Sequence, residues 1–130
     1  MRKLIFTSML VLMSVLLASC GSAVTSADAT PAKPVNIKFE TNPNPAMKGD
    51  LELILTITDG SGNPIEGATV DVSVDHTDMT GMGMSGLATE QGGGKYAIKA
   101  NFSDSGNWLL TVYVRKEGLD YKEEIEFQVQ

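Results

Sequence analysis

The sequence predicts an all-β fold, an antiparallel sandwich of about seven strands, and three observations carry that prediction. From Val35 onward apolar side chains recur at every second position, the period of a half-buried strand. Clusters of Gly, Pro, Asn, Asp and Ser interrupt this alternation at short, regular intervals. No stretch beyond the first twenty residues carries helical periodicity. A chain of 130 residues with 42% hydrophobic residues has material for one packed domain and little room for a second.

The N-terminus reads as a targeting segment. Arg2 and Lys3 precede Leu4 to Leu17, an almost unbroken apolar run too short and too early for a comfortable membrane span. It leads into Leu17-Ala18-Ser19-Cys20, which resembles a bacterial lipobox. Residues 1–19 are therefore expected to form a lipoprotein signal peptide, and Cys20, the only cysteine, to be the lipidated residue. Gly21 to Pro34 is small, polar and poor in large apolar residues. Residues 20–34 are expected to be the lipidated cysteine and a flexible linker, whose fourteen residues after Cys20 span about 20 Å.

The domain itself is expected at 35–130. Ile37 and Phe39 alternate with polar partners in the first strand. Leu51, Leu53, Leu55 and Ile57 line one face of the second, and Val70, Val72 and Val74 one face of the third. Further strands are read at Met84–Gln91, Lys95–Phe102, Trp108–Lys116 and Tyr121–Val129. Between them stand Asn42-Pro43-Asn44-Pro45, Asp59 through Pro64, Gly92-Gly93-Gly94 and Ser103 through Asn107, all rich in turn formers. Seven strands at this spacing give an immunoglobulin-like sandwich without the cysteine pair of antibody domains. Trp108, Phe39, Phe102, Tyr96 and Phe127 are expected in the core or at its edge, because a small domain lacking disulfides needs large side chains there.

Charge narrows the function classes. The net charge of −6 becomes −8 once Arg2 and Lys3 leave with the signal peptide, so no basic face exists for nucleic acid. One histidine and one cysteine leave little for nucleophilic catalysis, and the chain is not expected to be an enzyme. It is expected outside the cytoplasm, attached by lipid to the cell membrane, or to the outer membrane in a Gram-negative host.

One segment is chemically distinct. Asp75 to Met84 holds the only histidine, His76, and Met79, Met82 and Met84, three of the four methionines that follow the signal peptide. These methionines are spaced by Gly and Thr, whereas a core-filling methionine normally sits among apolar neighbours. Thioether sulfur suits Cu(I), and imidazole binds either copper oxidation state. Met82 and Met84 share a strand face, while His76 has the parity of Val70, Val72 and Val74 and emerges at the core edge. Two readings stay open. In one, His76, Met79, Met82 and Met84 close round a copper ion. In the other, Met84 packs inward, His76 is bonded to a backbone carbonyl, and the loop is a soft metal-free contact surface for a membrane partner.

Gly62-Asn63-Pro64-Ile65-Glu66-Gly67-Ala68-Thr69-Val70 resembles a segment common in bacterial immunoglobulin-like modules. With Met79, Met82-Gly83-Met84, Gly94-Lys95-Tyr96, Phe102 and Gly106-Asn107-Trp108-Leu109-Leu110-Thr111-Val112, the chain resembles the YtkA-like/FixH-like family of small extracytoplasmic domains over Val35 to Val129. That resemblance implies one β-sandwich at the cell surface. It also implies an accessory role in copper handling, with a membrane transporter or an oxidase-assembly protein as partner. The chain departs from the family pattern in carrying Thr80-Gly81 where Pro stands beside a Met, and in placing its His before the methionines.

Overall fold

The computed structural model describes residues 33–130; the expected signal peptide, Cys20 and most of the expected linker lie outside the described residues. Eight strands follow one another: β1 (Val35–Asn42), β2 (Gly49–Asp59), β3 (Thr69–His76), β4 (Gly83–Leu87), β5 (Thr89–Gly92), β6 (Lys95–Phe102), β7 (Gly106–Lys116) and β8 (Leu119–Val129). They form two four-stranded antiparallel sheets, ordered β1-β2-β6-β5 and β4-β3-β7-β8. This is the strand order of an immunoglobulin-like sandwich with one additional edge strand.

The period-2 pattern decides which side chains meet between the sheets. Leu51, Leu53, Leu55 and Ile57 of β2 face Val70, Val72 and Val74 of β3 and Trp108, Leu110, Val112 and Val114 of β7 in one contiguous core. Of the five aromatic residues expected inside, Tyr96, Phe102 and Trp108 are fully buried. Phe39 and Phe127 pack against the core from its edge, with ring centroids 5.2 Å apart.

The segment Met84–Gln91, expected as a single strand, is two. β4 pairs with β3, then the chain crosses at Ala88 and β5 pairs with β6 in the other sheet. The Ala88 N–H donates to the Val70 carbonyl at 2.9 Å, holding the crossing point against the first sheet. Small residues make the crossing possible: the Ile98 side chain of β6 lies so near Gly86 that an added Cβ would sit 2.9 Å from it.

Two of the sequence segments singled out above meet at this same end of the domain, where β3 begins. Asp59 accepts from the backbone N–H groups of Ser61 and Asn63 and from the Asn63 amide, which closes the β2–β3 turn. The Tyr96 hydroxyl donates to the Ile65 carbonyl (2.8 Å) and accepts from the Ala68 N–H (3.1 Å). Gly94-Lys95-Tyr96 thereby pins the Gly62–Val70 segment. Lys33 lies at this same end, with its carbonyl beside Gly60.

Candidate functional site

The β3–β4 hairpin carries the methionines. Its mouth is closed by the His76 N–H donating to the Met82 carbonyl at 3.0 Å, so His76 and Met82 face each other across the two chains. Val74 is opposite Met84 one step further in. Residues opposite one another share a face, with Cβ atoms about 5 Å apart. His76, Met82, Val74 and Met84 therefore all point to the inner side of the hairpin, as the parity of the sequence indicated. Gly81 has φ +81, a left-handed conformation that lets the tip turn back into β4.

The structure brings three of the four expected ligands to this face and leaves one outside. His76 is buried, Met82 and Met84 are partly buried, and Met79 at the tip is 42% exposed. Met84 lines a cleft of about 170 Å³ between β4 and β6, together with Val72, Val74, Ile98 and Ala100. This cleft lies where β4 and the second half of β6 have no further strand beside them. Met47, the fourth methionine of the domain and 53% exposed, is on the β1–β2 loop at the same end of the sandwich.

The imidazole of His76 has another task. Its Nδ1 accepts from the Asp78 N–H at 3.1 Å, and its Nε2 lies 3.1 Å from the Ser105 carbonyl, to which it must donate. That pair of bonds defines the neutral tautomer with the proton on Nε2 and occupies the one lone pair of the ring. The ring also meets the edge of Trp108, its direct neighbour on β7, with centroids 4.9 Å apart. His76 is thus a backbone-bonded histidine that ties the β3–β4 hairpin to the β6–β7 loop. It offers no free nitrogen to a metal, and ligation through Nδ1 requires release of the Asp78 N–H.

Sequence reasoning overlooked the residues that hold this ring. Gly106 has φ +127, and a Cβ there would sit 2.8 Å from Nε2 and 3.1 Å from Cε1 of His76. The Trp108 indole N–H donates to the Asp104 carbonyl at 3.3 Å, fixing the other side of the same loop. The Gly106-Asn107-Trp108 motif was the available signal: its glycine leaves room for the imidazole and its tryptophan supports it. From Trp108 a series of edge-to-face rings continues through Phe102 (4.9 Å) and Phe127 (5.8 Å), so the hairpin is anchored in the aromatic core.

The face therefore presents thioether sulfur at its surface and a locked imidazole beneath. Asp75, Asp78 and Asp104 lie at this end, and Lys99 borders the cleft that Met84 lines. Among the described residues no group of three or more His, Cys, Asp or Glu side chains is placed to hold a metal.

Such a fold and site define a small β-sandwich domain with a methionine-bearing hairpin at one end. A family model described as YtkA-like matches residues 29–113, and the chain belongs to that family. Among solved structures it is similar to the soluble domain of PmoD from a Methylocystis species. That likeness has 12% identity and a TM-score of 0.49 over 74% of this chain and 90% of that one. No curated protein matches.

Proposed function

We propose that this chain is a lipid-anchored, extracytoplasmic, non-enzymatic accessory in copper handling, which takes up Cu(I) through the thioethers of Met82 and Met84. The observation that carries the reading is the placement of Met82 and Met84 on one partly buried face of the β3–β4 hairpin, with Met84 at the cleft it lines with Val72, Val74, Ile98 and Ala100. Soft thioether donors select Cu(I) over the harder divalent ions. His76 serves as the clamp that keeps the hairpin in place.

The position of the chain's entry into the domain fits this role. Lys33 and the β2–β3 turn lie at the end opposite the methionine hairpin. A tether that joins the domain at that end leaves the methionines open to a soluble donor or to the exposed part of a membrane transporter or oxidase-assembly protein. The second reading, a metal-free interaction module, draws on the exposed side chains of Met79 and Leu87.

An anaerobic titration of residues 21–130 with Cu(I), in competition with a chromophoric chelator, tests the proposal. The parent protein is expected to take up a single Cu(I), and the double variant Met82→Ser, Met84→Ser to lose most of that uptake. A parent protein that leaves all copper with a weak chelator overturns it.

A further inference from the structure

We infer that β4 is a strap poised to close on β6 of its own domain. Its outer edge zips onto the second half of β6, so the domain exchanges between the open sandwich and a form sealed along this side. The inference concerns the metal-free domain and does not rest on the copper reading.

The phase of the hydrogen bonds shows which backbone groups are available. The His76 N–H bonds to the Met82 carbonyl, and the Ala88 N–H to the Val70 carbonyl. Antiparallel strands exchange such bonds at every second residue, so Met84 and Gly86 also turn toward β3, while Ser85 and Leu87 turn to the opposite side. On β6 the Gly94 carbonyl accepts from the Ile57 N–H, so Tyr96, Ile98 and Ala100 turn toward β2. Ala97, Lys99 and Asn101 therefore turn the other way. β5 reaches no further along β6 than Ala97, and among the described residues no strand lies beside Lys99 and Asn101.

The chain already connects these two edges in matching register. β5 places Glu90 opposite Tyr96 and Thr89 opposite Ala97. Continued back through Ala88, that register sets Leu87 opposite Lys99 and Ser85 opposite Asn101. These are the residues whose backbone groups are available on the two strands, so closure breaks no bond between β4 and β3. Nor does it turn any side chain over. Met84, Gly86 and Ala88 come opposite Phe102, Ala100 and Ile98 on the inner side, where Met84 and Ala88 already pack against the core.

The gap to be closed is the cleft of about 170 Å³ between Met84, Ser85 and Gly86 of β4 and Ile98, Lys99 and Ala100 of β6. Gly86 and Ala100 are small enough for the two backbones to approach. Ile98 reaches across already, its Cδ1 lying 2.9 Å from where a Cβ on Gly86 would stand. Leu87, 62% exposed in the open form, gains the aliphatic stem of Lys99 as a cross-strand neighbour. Closure also withdraws Met84 from solvent.

Amide hydrogen exchange of residues 21–130, followed residue by residue by nuclear magnetic resonance without metal, reads the closure. In the open form alone the amides of Ser85, Leu87, Lys99 and Asn101 exchange like those of an unstructured peptide. With the closed form populated they are expected to exchange at least about tenfold more slowly, at every protein concentration. Ser85→Pro removes an N–H that β3 does not use, and proline is tolerated on the outer side of an edge strand. It is expected to return Lys99 and Asn101 to unprotected exchange, while Met84 and Gly86, bonded to β3, stay protected. Lys99→Pro makes the reciprocal change on β6 and is expected to expose Ser85 and Leu87. Unprotected exchange of these amides in the parent protein overturns the inference. Protection that survives either proline variant, or that grows with protein concentration, also overturns it, since another contact then covers the edge.

Discussion

Replacing His76 with Ala removes the tie between the methionine hairpin and the β6–β7 loop, and the structure sets the size of the effect. Two hydrogen bonds, from the Asp78 N–H and to the Ser105 carbonyl, are lost. Each has a net worth of about 1 kcal/mol. The edge-to-face contact with Trp108 contributes about 1 kcal/mol more. The space left beside the indole adds a cavity cost, which brings the expected loss to about 3–4 kcal/mol. For a domain of this size that corresponds to a melting temperature lower by about 15 °C. Thermal unfolding followed by far-ultraviolet circular dichroism measures it, and Trp108, the only tryptophan, reports the same transition by fluorescence. His76→Gln, which retains a donor and an acceptor, should recover part of the loss. A drop of less than about 3 °C for His76→Ala would refute the assignment of the ring as a structural clamp.

Other perturbations follow from the same geometry. Gly106→Ala forces a β-carbon into the His76 ring at a positive φ and should cost about 1–3 kcal/mol in denaturant unfolding. In the His76→Ala background part of that cost should disappear, because the clashing ring is gone. Tyr96→Phe leaves the buried Ile65 carbonyl without its donor and should cost about 2 kcal/mol. Burial, reinforced by Glu90 and Glu66, pushes the Tyr96 phenol above its ordinary value of 10.0, despite the Ala68 N–H acting in the opposite sense. Its contribution to stability is therefore complete below that pH and declines as pH rises further, and Tyr96→Phe should flatten this part of the alkaline limb. The Asn63 backbone and side chain, then Ser61 and Gly62, hold the Asp59 carboxyl below its ordinary value of 3.8. That stabilisation is present above this value and fades as pH falls through the lowered one. Asp59→Asn should accordingly reduce the steepness of acid unfolding measured by circular dichroism.

How far the sequence alone reaches differs between elements. The strict alternation of Leu51 to Ile57 and of Val70 to Val74 identifies β2 and β3, their inward faces, and through them the inward parity of His76. Met84–Gln91 reads as one strand because passing from one sheet to the other at Ala88 leaves a period of two intact. Only the small residues Gly86 and Ala88 mark the crossing, and these also suit an ordinary exposed strand. The imidazole partners were illegible for a different reason. They are the backbone groups of Asp78 and Ser105, and no side-chain identity advertises a carbonyl twenty-nine positions away. Chemistry indicated that imidazole and thioether stand together at one end. One of the two open readings has the imidazole bonded to a backbone carbonyl; that the carbonyl is that of Ser105, and that the Asp78 N–H takes the other nitrogen, only the fold shows.

Copper-edge X-ray absorption on the Cu(I)-loaded domain tests the thioether assignment most directly. The fine structure should fit a shell of sulfur scatterers alone, unchanged in His76→Gln and lost in the Met82→Ser, Met84→Ser double variant. The multiple-scattering signature of a coordinated imidazole, or a copper shell indifferent to both methionines, would contradict it.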